Sequence, residues 1–362
     1  MSQRVHNFGA GPAALPLDVL KRVQADLLDF ESTGMSILEM SHRSKVYDRV
    51  HQEAMADIKT LLGASDDYEV LFMGGGARTQ FALVPMNLRP SGASADYWTT
   101  GNWSRLAIAE ARKAGEAREP WSSEETGHDR VPQAGEVEVD PAAAYLHYTS
   151  NNTVAGTQYH HVPDAGDVPL VCDMSSDIFS RPVDLTPFGL IYAGAQKNLG
   201  PAGVTVVIVR RDLWERSPAS LPDTLSYAKM AAKASLLNTP PVFAIYIAGL
   251  VVKKLLAGGG LGEVEARNNS KAATLYGAID GSEGFYQGHA QTASRSLMNV
   301  TFRLNQQDLE PVFIAEAAEA GLAGLKGHRS VGGIRASIYN AISAESVAAL
   351  VGFMGDFQRR HG

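Results

Sequence analysis

The chain has 362 residues, 45% of them hydrophobic and 20% charged, and its 39 acidic and 32 basic side chains give a formal net charge of −7. Chains of this length usually form more than one core, and an acidic balance without a long basic run argues against nucleic acid or an anionic membrane as partner. The single cysteine, Cys172, excludes an internal disulfide and a cysteine-based zinc site.

Residues 1–8 lack the apolar stretch of a secretory signal, so a cytoplasmic protein is expected. Gly9-Ala10-Gly11-Pro12-Ala13-Ala14 fits the dinucleotide fingerprint, but the residues before it are too polar for the central strand that fingerprint needs. An oxidoreductase is therefore set aside. Residues 44–62 read as a helix, with Val46, Val50, Ala54, Ile58, Leu61 and Leu62 on one face and Gly63 as its stop. A short apolar strand over 70–73 runs into Gly74-Gly75-Gly76-Ala77-Arg78-Thr79 and a further helical stretch. A helix over 103–114 ends at Gly115, and the polar, acidic residues 116–141 read as a surface excursion.

Apolar runs at 144–148, 168–172, 190–193 and 204–209 read as buried strands, and Cys172 as a small core residue. Residues 240–256 form a long apolar helix whose apolar window is too short to span a bilayer. Beyond it the pattern changes to a strand over 297–304, a helix over 309–321, a strand over 334–338 and a helix over 344–357. These elements predict an α/β fold: a large domain, 1–257, with a mostly parallel sheet sandwiched by helices, and a smaller α+β domain, 258–362.

Lys197 follows the 190–193 strand in Gly194-Ala195-Gln196-Lys197-Asn198, and Asp173 closes the 168–172 strand. A lysine and an aspartate at the mouths of neighbouring buried strands suit pyridoxal phosphate. The amine bonds to the cofactor's aldehyde, and the carboxylate keeps the ring nitrogen protonated so that the ring accepts electrons. Most strand-end lysines are only solvated charges, so the pair alone does not decide the matter. The glycines at 74–76, between a strand and a helix start, gather backbone N–H groups around one point, as a phosphate requires; the competing reading is a tight turn. Trp103, after Gly101 at a helix start, reads on its own as core or as the cover of a planar ring. His42-Arg43, His328-Arg329 and Arg335 suit carboxylate or phosphate recognition, although most arginines are solvated surface cations. His160 and His161 are adjacent and would point apart on a strand, and no HExxH spacing exists, so no metal is expected.

Taken together these residues resemble the phosphoserine aminotransferases, fold-type I, class V enzymes of pyridoxal phosphate. The resemblance runs nearly end to end, from Asn7-Phe8-Gly9-Ala10-Gly11-Pro12 through Ser41-His42-Arg43, Gly194-Ala195-Gln196-Lys197-Asn198, Asn238-Thr239-Pro240-Pro241 and Lys326-Gly327-His328-Arg329 to Gly332-Gly333-Ile334-Arg335-Ala336-Ser337-Ile338-Tyr339-Asn340. It implies that Lys197 bonds to the cofactor, that Asp173 faces its ring nitrogen and that Trp103 stacks on the ring. It also implies that Ala77, Arg78, Thr153 and Gln196 contact the cofactor, while Asn238 and Thr239 reach the cofactor phosphate of the other subunit in a homodimer with shared active sites. Arg335 is implied for the substrate α-carboxylate. His42, Arg43 and Arg78, with His328 and Arg329 of the partner subunit, are implied for the distal anion. Ala10 departs from the family, some of whose members have serine there, and is left outside the site.

The implied reaction is reversible amino transfer between L-glutamate and 3-phosphohydroxypyruvate, giving 2-oxoglutarate and O-phospho-L-serine. 4-Phosphohydroxy-L-threonine, in pyridoxine biosynthesis, is a second substrate the resemblance allows. The rival readings are an alanine–glyoxylate type aminotransferase, a cysteine desulfurase, and a catalytically inactive binding module. A desulfurase needs a reactive cysteine on a mobile loop, which Cys172 in an apolar run does not provide.

Overall fold

Seven strands form the central sheet of the protein, seen in a computed structural model that describes residues 4–362. Their order across the sheet is Tyr68–Met73, Thr205–Arg210, Phe188–Gly194, Leu170–Asp173, Leu146–Thr149, Ala95–Thr99 and Ala117–Ser122. All are parallel except Thr205–Arg210, which runs antiparallel to both of its neighbours. The five expected strands are present with ends moved by one or two residues, because ladder pairing rather than apolar composition sets where a strand stops. Phe188–Gly194 is buried at every position, as a strand covered on both faces must be. Cys172 is fully buried in this sheet.

Two strands differ from expectation. Ala117–Ser122 lies inside the segment read as a surface excursion, and it is the edge of the sheet, paired only with Ala95–Thr99. An edge strand exposes one side, so it can carry Arg118, Glu119 and Pro120. Ala95–Thr99 is masked in sequence by Asp96, which is 2% exposed. Its carboxylate is compensated by Arg118, whose Nε donates to Oδ1 at 2.9 Å.

The helix Lys45–Leu62 is framed as its sequence predicts. The Ser44 hydroxyl accepts the Tyr47 N–H at its start, and Gly63 ends it at φ 62°. It packs on Val242–Ala257 at close range: a Cβ on Gly249 would sit 3.2 Å from that of Ala54. No single helix among the described residues is long and apolar enough to cross a membrane.

A second core gathers Phe8, Leu275, Phe302, Phe313 and Phe357. It is built on the antiparallel strands Tyr286–Gly288, Asn299–Leu304 and Ile334–Ser337, with Glu310–Glu319 and Ala344–His361. The helix Gly260–Asp280, absent from the sequence reading, contributes Leu261 and Val264 to the first core and Ala272 and Leu275 to the second. His6–Asn7, the strand before the apparent dinucleotide fingerprint, pairs only with Leu322–Ala323 and never enters the central sheet.

Candidate active site

Parallel strands bring their C-terminal ends to one edge, where an α/β sheet offers a crevice. Leu170–Asp173 and Phe188–Gly194 are neighbours there, with Asp173 opposite Tyr192 in register. Asp173 thus lies under the turn that carries Lys197. Met73, Thr205 and Gly194 also lie side by side, which brings the glycine loop after Met73 to the same edge.

Asp173 is 4% exposed. Its Oδ1 accepts the Ser175 N–H at 2.9 Å and the Ser175 hydroxyl at 2.6 Å. The same hydroxyl oxygen accepts the Gly194 N–H at 3.1 Å, so Ser175 ties the aspartate to the lysine turn. Burial pushes the Asp173 pKa up, while the Lys197 charge and the Ser175 bonds pull it back. Sequence reasoning missed Ser175; a serine two residues after an aspartate at a strand end is the local signal for such a bond.

The Lys197 amine donates to Thr153 Oγ1 at 2.7 Å and stands 5.4 Å from the centroid of the Trp103 ring. Burial lowers its pKa to about 8, assisted by the Arg335 charge and opposed by Asp173 and Asp177. An amine in that range is neutral often enough near pH 7 to act as a nucleophile. Trp103 also packs against the apolar cluster of Tyr97 and Ile108, as its reading as a core residue expects. Gly101 before it allows close approach of the chain at Asn152: a Cβ there would lie 2.6 Å from Asn152 Oδ1.

The helix Gly76–Leu88 opens at Gly75, whose φ is 92°. A Cβ on Gly75 would meet Thr79 Oγ1 at 2.0 Å, so only glycine fits. The N–H groups of Ala77 and Arg78, in the first helical turn, have no acceptor among the described residues.

Arg335 donates from Nη1 to the Thr153 carbonyl at 3.1 Å, and its buried Nε has no partner among the described residues. Burial lowers its pKa. Its charge, with that of Arg329, joins burial in lowering the pKa of His328. The structure therefore brings together Lys197, Asp173, Thr153, Trp103 and Arg335, with His328 in electrostatic reach of Arg335 and of Arg329. Gln196 flanks the lysine, and its carbonyl accepts the Ala13 N–H at 2.8 Å. His42, with a buried Nε2 lacking a partner among the described residues, and the exposed Arg43, Arg78, Asn238 and Thr239 make no side-chain hydrogen bond to this group. A further residue missed in sequence is Tyr339, whose buried hydroxyl donates to the Ala10 carbonyl at 2.8 Å.

The family pattern of aminotransferase class V matches residues 5–350. The chain belongs to the class V aminotransferases. It is 58% identical to the phosphoserine aminotransferase of Desulfatibacillum aliphaticivorans, over 100% of both chains. The solved phosphoserine aminotransferase of Bacillus circulans subsp. alkalophilus superposes with a TM-score of 0.98 at 53% identity, again over 100% of both. A phosphoserine aminotransferase from Trichomonas vaginalis with pyridoxal phosphate bound has a TM-score of 0.91 at 36% identity, covering 97% of this chain and 100% of that one.

Class V aminotransferases work with pyridoxal phosphate, and the residues here fit it. A buried carboxylate, an amine of lowered pKa, an indole beside that amine and unpaired N–H groups at a glycine-opened helix are what the ring, the aldehyde and the phosphate require. Asp173, Lys197, Trp103 and the loop at Gly75–Arg78 are the residues that would hold it.

Proposed function

We propose that this aminotransferase catalyses reversible amino transfer between L-glutamate and 3-phosphohydroxypyruvate, giving 2-oxoglutarate and O-phospho-L-serine for serine biosynthesis. The observation that carries the site is Thr153: its hydroxyl accepts from Lys197 while its carbonyl accepts from Arg335, so the reacting amine and a carboxylate receptor share one residue.

Pyridoxal phosphate supplies an aldehyde that bonds amines and a ring that takes up electrons. Asp173, held by Ser175, would keep a proton on the ring nitrogen. Lys197 removes the Cα proton of the amino donor, a role its lowered pKa suits near neutral pH. Arg335 takes the α-carboxylate in a bidentate fork, and its unpartnered Nε leaves it a free donor. Trp103 would cover a bound ring and exclude water. The distal carboxylate of glutamate and the phosphate of its partner substrate use the same cations in turn: His42, Arg43 and Arg78, with His328 and Arg329 of the partner subunit. Gln196 and Thr153 complete the cofactor's surroundings, and Asn238 and Thr239 serve the neighbouring site of a homodimer. Leu28 at 86% and Leu38 at 56% exposure leave apolar surface for a second copy. The division at 257/258 and a cytoplasmic setting belong to the same proposal.

The test is amino-donor choice. O-Phospho-L-serine and glutamate should be turned over far faster than alanine or aspartate, and Arg43→Ala and Arg329→Ala should each remove most of the preference. Equal rates for alanine would overturn the substrate assignment. Turnover of 4-phosphohydroxy-L-threonine in the same assay would extend the role to pyridoxine biosynthesis.

A further inference from the structure

We propose that Lys271 is a positioning residue: its buried amine fixes the turn at residues 338–342 and thereby sets the placement of Arg335 relative to Lys197. The inference rests on the reading of those two residues given above.

Lys271 lies on the helix Gly260–Asp280 and is 4% exposed. Its Nζ donates to three main-chain carbonyls, Ile338 and Tyr339 at 2.8 Å each and Ile342 at 3.0 Å. An ammonium has three donors and no acceptor, so these carbonyls use it fully. No carboxylate forms an ion pair with it among the described residues, and the nearby charge that acts on it, Arg267, has the same sign. A buried cation without a counter-charge is costly, and an apolar side chain would fill the same space without that cost. What the amine alone can do is bind the three carbonyls.

That turn joins the two halves of the site. The strand Ile334–Ser337, which carries Arg335, runs directly into it. On the far side the Asn340 N–H donates to Asn198 Oδ1 at 2.8 Å, next to Lys197. The Asn340 side chain donates to the Phe179 carbonyl and accepts from Asn268, each at 2.8 Å. Asn268 and Lys271 face the turn from successive positions on one helix face. Transfer of a proton from a substrate held by Arg335 to the amine of Lys197 depends on their separation to within a fraction of an ångström, and a displacement of about 1 Å can cost about a hundredfold in rate.

The test uses the Lys271→Met holoenzyme with two readouts. Hydrogen exchange at the Asn340 and Ile342 amides should accelerate at least tenfold. Turnover per cofactor-bearing site, with sites counted by the visible absorbance of bound pyridoxal phosphate, should fall roughly tenfold to a hundredfold with little change in KM for glutamate. A residue that only stabilises the fold would reduce the number of such sites and leave turnover at each unchanged; that result, or unaltered exchange, overturns the proposal. Lys271→Gln keeps two donors without the charge and should recover part of the rate, and it carries the same test if the methionine variant fails to fold. Asn269→Ala, exposed on the same helix, should match the wild type. If the wild type itself does not turn over glutamate, the proposed reaction falls while the exchange result still decides the role of Lys271.

Discussion

Lys271 is fully withdrawn from water and Lys197 is half-buried, and burial lowers the pKa of each, to about 7 and about 8. Around Lys197 one side-chain hydroxyl and an aromatic face meet the amine, leaving donors unmatched. Around Lys271 every donor is matched by a main-chain carbonyl. The contrast teaches that desolvation alone does not make a lysine reactive. An amine left partly unsatisfied is available to form a bond, whereas one saturated by carbonyls holds backbone in place.

The sharpest way to break this comparison is Lys197→Ala. Turnover should fall by several orders of magnitude and the visible absorbance of the cofactor imine should vanish. A colourless wild type would remove the distinction altogether. Asp173→Asn tests the other side of the same pocket. Loss of the fixed negative charge should lower turnover by about two to three orders of magnitude in single-turnover kinetics without loss of cofactor colour.

Titration separates the two lysines more finely. Each has a folded pKa below the ordinary value of 10.5, so between the two values the unfolded chain binds more protons and apoenzyme stability rises with pH. The contribution of Lys271 starts near pH 7 and that of Lys197 near pH 8. Urea denaturation of the apoenzyme across this range should show the rise, and each single replacement should remove its own part. Loading of pyridoxal phosphate should speed up as pH rises through about 8 and then level off. Ser175→Ala is the smallest of these effects: loss of the 2.6 Å bond to Asp173 should cost about 1–2 kcal/mol of stability, read by denaturant midpoint.

How legible these regions are in sequence follows from how local their chemistry is. Asp173 ends an apolar run and Lys197 lies just past another, so strand reading placed the two at the mouths of neighbouring strands, and the Gly74–Gly76 loop follows a third run. Lys271 sits in Asn268-Asn269-Ser270-Lys271, which looks like a solvated helix face, and its partners lie in a turn remote along the chain. Ala95–Thr99 and Ala117–Ser122 were hidden for a related reason, since Asp96 looks wrong for a core strand until Arg118 of the next strand meets it. The exposed cations at Arg43, Arg78 and Arg329 have no side-chain partner among the described residues; the repeated His-Arg pair marks Arg43 and Arg329, and the family pattern alone gives Arg78 its part in the distal site.

The pairing of His6–Asn7 with Leu322–Ala323 has a consequence for the order of assembly. During synthesis the first strand of the described chain has no partner until residues 322–323 have emerged. The segment just after it lies over the lysine turn: Ala13 hydrogen-bonds to Gln196, and Gly11 leaves room where a Cβ would come 3.3 Å from Lys197 Cγ. The central sheet can form while the edge that carries Lys197 still lacks this cover, so that edge is completed only as residues 322–323 arrive.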